Sequence, residues 1–246
     1  MNIVLHGACG RMGQVATELL KTGFDGAQLA AAVDVNAPEG SGLYRSLDAY
    51  TGPADCLIDF SHHSAAAAIS QYVTKRHLPC VIATTGQTEQ ELALLHKAAE
   101  VVPVFLSANM SLGIALLAEF AKQAAAMMPE ADIEIVETHP TRKLDAPSGT
   151  ALLLAHAIQE VRPEAELVCG RSGQGKREKN EIGLHAVRMG NIVGIHEIKI
   201  SSDTQTITLG HQAYDRGLFA EGAVKAAQFL QGKPAGLYSM RELLKG

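Results

Sequence analysis

The chain contains no tryptophan, and aromatic residues make up only 4% of its 246 positions, so the core must be built mainly from Ala, Leu, Ile and Val. No run approaches the roughly eighteen apolar residues of a membrane span, which excludes a transmembrane helix. The first residues lack the layout of a secretory signal, and Met1-Asn2-Ile3-Val4-Leu5 reads directly as a strand. An excess of positive charge is also missing: the formal net charge is −5, which leaves no electrostatic footprint for nucleic acid. The four cysteines, Cys9, Cys56, Cys80 and Cys169, show neither a C-x-x-C pair nor metal-ligand spacing. Three of them lie in or beside apolar runs, where Cys behaves as a small buried hydrophobe. A reducing, cytoplasmic setting without a metal is the expectation.

Hydrophobic residues at 47% and charged residues at 19% are ordinary for a globular protein, and the length allows one large domain or two modest ones. The first hundred residues alternate strands and helices: strands at Asn2–His6, Leu29–Val33, Cys56–Phe60, Cys80–Ala83 and Val102–Leu106, helices at Met12–Lys21, Ser64–Arg76 and Glu89–Glu100. Thr88 and Glu91 have the spacing of a capping box for the last of these. Such alternation implies βαβ units and a parallel sheet. After Asn109 the pattern changes. A long helix over about Ser111–Met128 leads to a strand at Asp132–Thr138 and a helix at Thr150–Val161. Closely spaced strands follow at Leu184–Met189, Gly194–Ser201 and Thr204–Gly210. Short connections argue for an antiparallel or mixed sheet, hence a separate α+β domain. A helix at Phe219–Gln231 and the tail Pro234–Leu244 are free to return to the first domain. The expected fold is α/β: a Rossmann-like parallel-sheet domain over residues 1–108, completed by 216–246, and a second α+β domain over 109–215.

Gly7, Gly10 and Gly13 form G-x-x-G-x-x-G between the first strand and its helix. This variant of the dinucleotide fingerprint permits a tight turn and close approach of a pyrophosphate to the helix start. The segment Gly7, Ala8, Cys9, Gly10, Arg11, Met12 and Gly13 is the expected pyrophosphate loop. Asp34, ending the second strand about twenty residues on, is placed to bond the ribose hydroxyls. A carboxylate there repels a 2′-phosphate, and Val35 offers no compensating charge, so NADH is expected to be accepted. Arg11 or Arg45 leaves NADPH open. Two more loops belong on the same sheet edge: Ala83, Thr84 and Thr85, followed by Gly86, and Ser107, Ala108, Asn109 and Met110, followed by Ser111.

The densest chemistry lies in Glu137–Thr150, which reads E-T-H-P-T-R-K-L-D-A-P-S-G-T. His139 is a proton donor, Lys143 a fixed cation, and Asp145 a carboxylate. Ser148, Gly149 and Thr150 sit where a helix begins and its first N–H groups lack intrahelical partners. An acid, a cation and an anion cradle together suit a small carboxylate that is protonated during reaction. The alternative is an ordinary polar loop ahead of a capped helix.

These motifs resemble a known family. G-A-C-G-R-M-G at 7–13, A-T-T-G at 83–86, S-A-N-M-S at 107–111, and above all the H-x-x-x-K-x-D-A-P-S-G-T-A pattern from His139 to Ala151 are similar to dihydrodipicolinate reductases. I-V-G-I-H at 192–196 and the ending L-Y-S-M-R-E-L-L extend the resemblance over the whole chain. It implies NAD(P)H-dependent reduction of 4-hydroxy-tetrahydrodipicolinate, a cyclic imine dicarboxylate, in diaminopimelate and lysine biosynthesis. It also implies His139 as proton donor, Lys143 as a substrate-binding and acid-assisting residue, and Ser148, Gly149 and Thr150 as the carboxylate cradle. A homotetramer built through the second domain's sheet is implied as well. One position departs from the pattern: Pro140 stands where the family usually has a second, carboxylate-holding histidine. Weaker substrate binding, or a partner recruited from Thr141 or Arg142, is the expected consequence.

Other polar residues receive structural readings. His62 and His63 are taken as surface or capping residues, and His156 as a packed core histidine. His185, His196 and His211 lie on strands without metal spacing. Lys176, Arg177, Glu178 and Lys179 are read as a solvated, mobile loop rather than a lid. Two rival functions remain at this point: another two-domain NAD(P) dehydrogenase, and a non-catalytic nucleotide-sensing paralogue.

Overall fold

Unbroken apolar runs in the first half become strands buried on both faces, while the alternating strands of the second half are covered on one. A computed structural model describes Met1–Gly246 throughout. Its elements, in chain order, are β1 (Asn2–His6), α1 (Arg11–Lys21), β2 (Gln28–Val33), β3 (Cys56–Asp59), α2 (Ala66–Arg76), β4 (Cys80–Ile82), α3 (Glu89–Ala99), β5 (Pro103–Leu106), α4 (Leu112–Met127), β6 (Asp132–His139), α5 (Gly149–Gln159), β7 (Glu166–Cys169), β8 (Glu181–Arg188), β9 (Gly194–Ser201), β10 (Thr206–Ala213), α6 (Gly217–Phe229), β11 (Gly236–Tyr238) and α7 (Met240–Lys245). They form two units, Met1–Ser111 with Arg216–Gly246, and Leu112–Asp215.

The first unit is a six-stranded sheet in the order β11-β5-β4-β3-β1-β2, with every pairing parallel. β3 and β4 are buried at every position, as a sheet clothed on both faces requires. One face packs Val4, Leu57, Ile82 and Val104 against Ile69 and Val73 of α2 and Leu95 of α3. The C-terminal segment completes the unit: α6 packs on β3 and β4, and β11 adds a sixth strand beside β5. That strand is three residues long, too short to carry a sequence period, and was not expected. The order places β2 on one side of β1 and β3 on the other, so the crevice at their carboxyl ends is the switch point where ligands of such sheets bind.

The second unit is a mixed five-stranded sheet, β10-β9-β6-β8-β7. β8 runs parallel to β6, whereas β9 is antiparallel to it, so the successive strands β8 and β9 flank β6 instead of pairing with each other. Ile133 and Ile135 of β6, Ile182 and Leu184 of β8, and Ile198 and Ile200 of β9 pack with Ile114 and Leu117 of α4 and Leu154 and Ile158 of α5. Small residues at that packing, Ala121, Ala125, Ala151 and Ala155, let the helices lie close to each other and to the sheet.

Three expectations are corrected. His156 is exposed and bonds Gln159 Oε1 at 2.9 Å: it falls on the solvent side of α5, between the buried Ala155 and Ile158. Arg177 is not part of a solvated loop. It is held by Glu134 Oε1 at 3.2 Å, Asp132 Oδ1 at 3.1 Å and the Ile133 carbonyl at 3.1 Å, so it fastens its loop to β6. Cys169 is exposed, leaving Cys56 and Cys80 as the buried thiols.

Gly222 of α6 offers a test of this packing, because a Cβ built there would stand 1.7 Å from the Met110 carbonyl oxygen. Gly222→Ala is expected to cost about 1–3 kcal/mol and lower the thermal midpoint by about 2–10 °C. An unchanged midpoint in a calorimetric scan would mean that α6 does not press on that loop.

Candidate active site

The carboxyl edge of the first sheet collects the residues expected to hold a dinucleotide. Gly7 adopts φ +83°, and a Cβ there would lie 2.6 Å from the backbone of Phe60, where β3 ends. A Cβ at Gly13 would lie 2.0 Å from the Gly7 carbonyl oxygen, so this glycine lets α1 pack against its own loop. Most amides of the turn are engaged internally. Gly7 and Ala8 donate to the Val33 carbonyl, Gly10 to Gly7, and Cys9 to Asp34 Oδ2 at 2.9 Å. The groups left pointing outward belong to the first turn of α1, at Arg11, Met12 and Gly13, where helix geometry offers no carbonyl four residues back. Arg11 is exposed, whereas Ala8 is buried and shapes the turn.

Asp34 is buried, accepting from Cys9 N and, at 2.8 Å, from Asn36 N. These bonds set the carboxylate at the end of β2. Arg45 Nε donates to the Ala37 carbonyl at 3.1 Å, which holds this arginine on the loop that follows Asp34. Thr84 and Ser107 are half-buried, and Thr85 and Ala108 are exposed. Ser107 Oγ donates to the Asn109 carbonyl, and Asn109 Oδ1 accepts from Ser111 N, so this loop is tied by its own side chains. Met110 is buried beneath it.

A hub absent from the sequence reading lies under these loops. Asp59, 1% exposed at the end of β3, accepts from His6 Nδ1 at 2.9 Å, Ser61 Oγ at 2.6 Å, Ser61 N at 3.2 Å and Thr84 Oγ1 at 2.6 Å. One carboxylate thereby joins the carboxyl ends of β1, β3 and β4. His62 caps the short turn after β3 by accepting from Ser64 N, as a capping reading requires. His63 pairs with Glu91, which also closes the Thr88 capping box of α3.

In the second unit the strand period explains the chemistry of β6. Ile133, Ile135, Glu137 and His139 share one face, apolar at the start and ionic at the end. Glu137 is 1% exposed, and each of its oxygens accepts two bonds. Oε2 takes His139 Nδ1 at 2.5 Å and Arg188 Nη1 at 2.8 Å, while Oε1 takes Arg188 Nη2 at 2.8 Å and Ser148 N at 3.0 Å. Burial alone would push this carboxyl up, but the Arg188, His139 and Ser148 bonds together outweigh it and hold it below the usual carboxylate range. His196, opposite Glu137 on β9, meets the His139 ring edge-on at 5.1 Å and lies 3.4 Å from Ser148 Oγ. Burial, with the neighbouring His139 as the next cause, lowers His196 to about 4, so it is neutral at pH 7.

The loop beyond β6 presents Lys143, whose Nζ lies 2.8 Å from Asp145 Oδ2. That contact is the first cause holding the Asp145 carboxyl below its ordinary value. Ser148 is the N-cap of α5, its hydroxyl accepting from Ala151 N. Ser148 is also buried with its own N–H on Glu137, so of the three cradle positions Gly149 is exposed and Thr150 half-buried. Pro140 is buried, and its carbonyl accepts from Lys143 N at 3.0 Å, closing the turn that presents the lysine. Arg142 bonds Asn191 Oδ1, and Thr141 N donates to the Gly190 carbonyl. Glu137, Arg188 and His196 were not singled out from sequence as site residues. The E-x-H spacing on one strand would have exposed the first; Arg188 becomes visible only through the register that sets it beside His139.

Comparison with known proteins gives one answer along the whole chain. The family described as dihydrodipicolinate reductase, N-terminus, matches residues 1–110, and dihydrodipicolinate reductase, C-terminus, matches residues 113–244. The 4-hydroxy-tetrahydrodipicolinate reductase of Caldanaerobacter subterraneus subsp. tengcongensis is 44% identical over 248 residues, covering 100% of this chain and 98% of the relative. That of Clostridium perfringens (strain 13 / Type A) is 39% identical over 254 residues, with the same coverage. Among solved structures, a dipicolinate-bound dihydrodipicolinate reductase from Paenisporosarcina sp. TG-14 superposes with a TM-score of 0.81 at 26% identity, over 97% of each chain.

The Glu137 cluster predicts a pH-dependent cost. Removing the guanidinium in Arg188→Ala leaves a buried carboxylate short of its compensating charge, expected to cost about 3–5 kcal/mol at pH 7. In the wild type the lowered carboxyl contributes stability above the unfolded carboxylate pKa and loses it as pH falls through the folded value. The variant has lost that contribution, so the difference between the two should shrink on acidification to about pH 4. Urea unfolding at both pH values checks this; an equal difference at both would rule out an electrostatic origin.

Proposed function

The chain belongs to the dihydrodipicolinate reductase family, and from that premise we propose that it reduces 4-hydroxy-tetrahydrodipicolinate to tetrahydrodipicolinate with NADH or NADPH. Water is lost along the route, which belongs to diaminopimelate and lysine biosynthesis. The observation that carries the reading is the His139 ring held by a buried, arginine-paired carboxylate a few residues before Lys143 and the exposed start of α5. The match over both halves of the chain, with acid and cation in place, sets aside a different dehydrogenase and a nucleotide sensor.

The residues present fit a dinucleotide. Gly7 and Gly13 have no room for a side chain, and the first turn of α1 turns its N–H groups outward. Gly10, Arg11, Met12 and Gly13 would hold the pyrophosphate, Asp34 the ribose, and the Ala83–Thr85 and Ser107–Met110 loops the nicotinamide end. A nicotinamide bound there would supply a hydride. His139 supplies the accompanying proton, and Lys143 exchanges its Asp145 contact for a substrate carboxylate and offsets the negative charge that reduction builds. Gly149 and Thr150 grip a carboxylate at the helix start, while buried Ser148 shapes the turn beneath them.

The substrate class also follows the family: a small cyclic imine dicarboxylate, for which dipicolinate is a flat analogue. A cytoplasmic location and a homotetramer belong to the same proposal. In support, no helix is long and apolar enough to cross a membrane. α4 and α5 both pack on the face of the second sheet that carries Ile133 and Ile198, while Val136, Val187 and Ile195 lie on the opposite face.

Steady-state assays with freshly generated substrate test the roles. His139→Gln and Lys143→Ala should each reduce turnover by about 10²- to 10⁴-fold while leaving NADH binding nearly intact. Near-normal turnover in either variant would remove that residue from the mechanism. Run in parallel, the two cofactors test Asp34: NADH should be accepted, and equal or better efficiency with NADPH would mean that Arg11 or Arg45 outweighs the carboxylate.

A further inference from the structure

The His139 ring is held by one nitrogen and kept clear at the other. Nδ1 faces Glu137 Oε2, whereas a Cβ built on Gly194 of β9 would stand 3.3 Å from Nε2. An ionised carboxylate only accepts hydrogen bonds, so the hydrogen between Nδ1 and Glu137 belongs to the ring. We infer that Glu137 is the positioning residue of the reaction: with Arg188 holding it, its carboxylate fixes a proton on Nδ1 of His139 and leaves Nε2, beside Gly194, as the atom that delivers a proton to substrate. The inference rests on the reading of His139 as the donor and adds which nitrogen acts and what sets it.

The proton balance is simple. The Nε2–H bond of the imidazolium breaks, its electron pair stays on Nε2, and the proton passes to the reduced substrate. The neutral ring keeps Nδ1–H on Glu137, and solvent returns a proton to Nε2 before the next cycle. Glu137 never changes protonation, because four hydrogen bonds, two of them from a guanidinium, hold it ionised.

The charged and titratable groups around His139 come from every neighbouring strand: Glu137 beside it, Arg188 on β8, His196 on β9 with His211 next in register on β10, and the Lys143–Asp145 pair on the following loop. His196, held down at about 4, is neutral at pH 7 and brings no charge of its own to the ring. It packs the ring from the side without competing for Glu137.

Glu137→Gln keeps an oxygen for Nδ1 and removes the charge. Its kcat–pH profile should lose its alkaline limb at a pH lower by about one unit or more, because a close opposite charge is worth that much to a donor. Dipicolinate affinity, read in the presence of NADH, should change far less than kcat, and Glu137→Asp should restore the limb in part. A limb that coincides with the wild type would overturn the inference, since a merely structural role lowers activity at all pH values alike. Should Glu137→Gln fail to fold, ¹⁵N shifts of the wild-type imidazoles, with His139 assigned by the His139→Gln difference, decide the matter. Nδ1–H in the neutral ring supports the inference and Nε2–H overturns it. Normal turnover in His139→Gln would overturn the donor reading and this inference together. A dead His139→Gln beside an unshifted Glu137→Gln profile would overturn this inference alone.

Discussion

A carboxylate removed from water is tolerable only if every lone pair is answered, and Glu137 organises the second unit because of that demand. Its four hydrogen bonds come from three places: two from the guanidinium on β8, one from the imidazole two residues along β6, and one from the amide of Ser148, the N-cap of α5. No one of them can move without leaving a buried charge short. The His139 ring, the helix start and strand β8 are therefore locked to a common point. The α5 N-terminus contributes beyond its single bond, since the partial positive charge of a helix start favours an anion at that position.

The first unit solves a related problem with Asp59. Strands of a parallel sheet end in loops with no ladder to hold them, and the loops after β1, β3 and β4 all lie on the carboxyl edge of the sheet. One buried aspartate accepting from His6, Ser61 and Thr84 ties these ends together. The two hubs differ in charge economy. Asp59 is answered largely by neutral donors and a histidine, which suits a scaffold. Glu137 faces a permanent cation, and the Arg188, His139 and Ser148 bonds hold it below the usual carboxylate range against its burial.

Strands and helices of the first unit were legible because each apolar run was short, unbroken and closed by a turn residue; β1 and β9 match their expected bounds, and the Thr88–Glu91 capping box formed as read. β7 and β11 were missed because four- and three-residue strands at sheet edges carry no readable period. Site residues next to one another in sequence, such as His139 and Lys143, could be read from the motif. Arg188 and His6 could not, because each reaches its carboxylate across about fifty residues of chain, through a register that only the folded sheet defines. His156 illustrates the converse limit: an apolar neighbourhood in sequence does not fix which side of a helix a residue takes.

Pro140 stands where the resemblance leads one to expect a second histidine. A histidine at that position would offer a ring N–H to a substrate carboxylate; proline offers none and fixes φ. The structure puts this stiffness where the chain turns from β6 toward Lys143. The Pro140 carbonyl takes the Lys143 amide, Thr141 donates to Gly190, and Arg142 bonds Asn191, so the turn is fastened at three successive residues. Arg142 is thereby engaged at the turn, which argues against its recruitment as the replacement donor. The ammonium of Lys143 meanwhile faces Asp145, a half-exposed carboxylate with water still available to it. Ion pairs in such surroundings are worth about 1 kcal/mol or less, so the lysine can give up Asp145 for another anion at little cost. In the proposed function affinity rests on Lys143 and the start of α5, and a rigid turn that presents the lysine in one place reduces the ordering that binding would otherwise require.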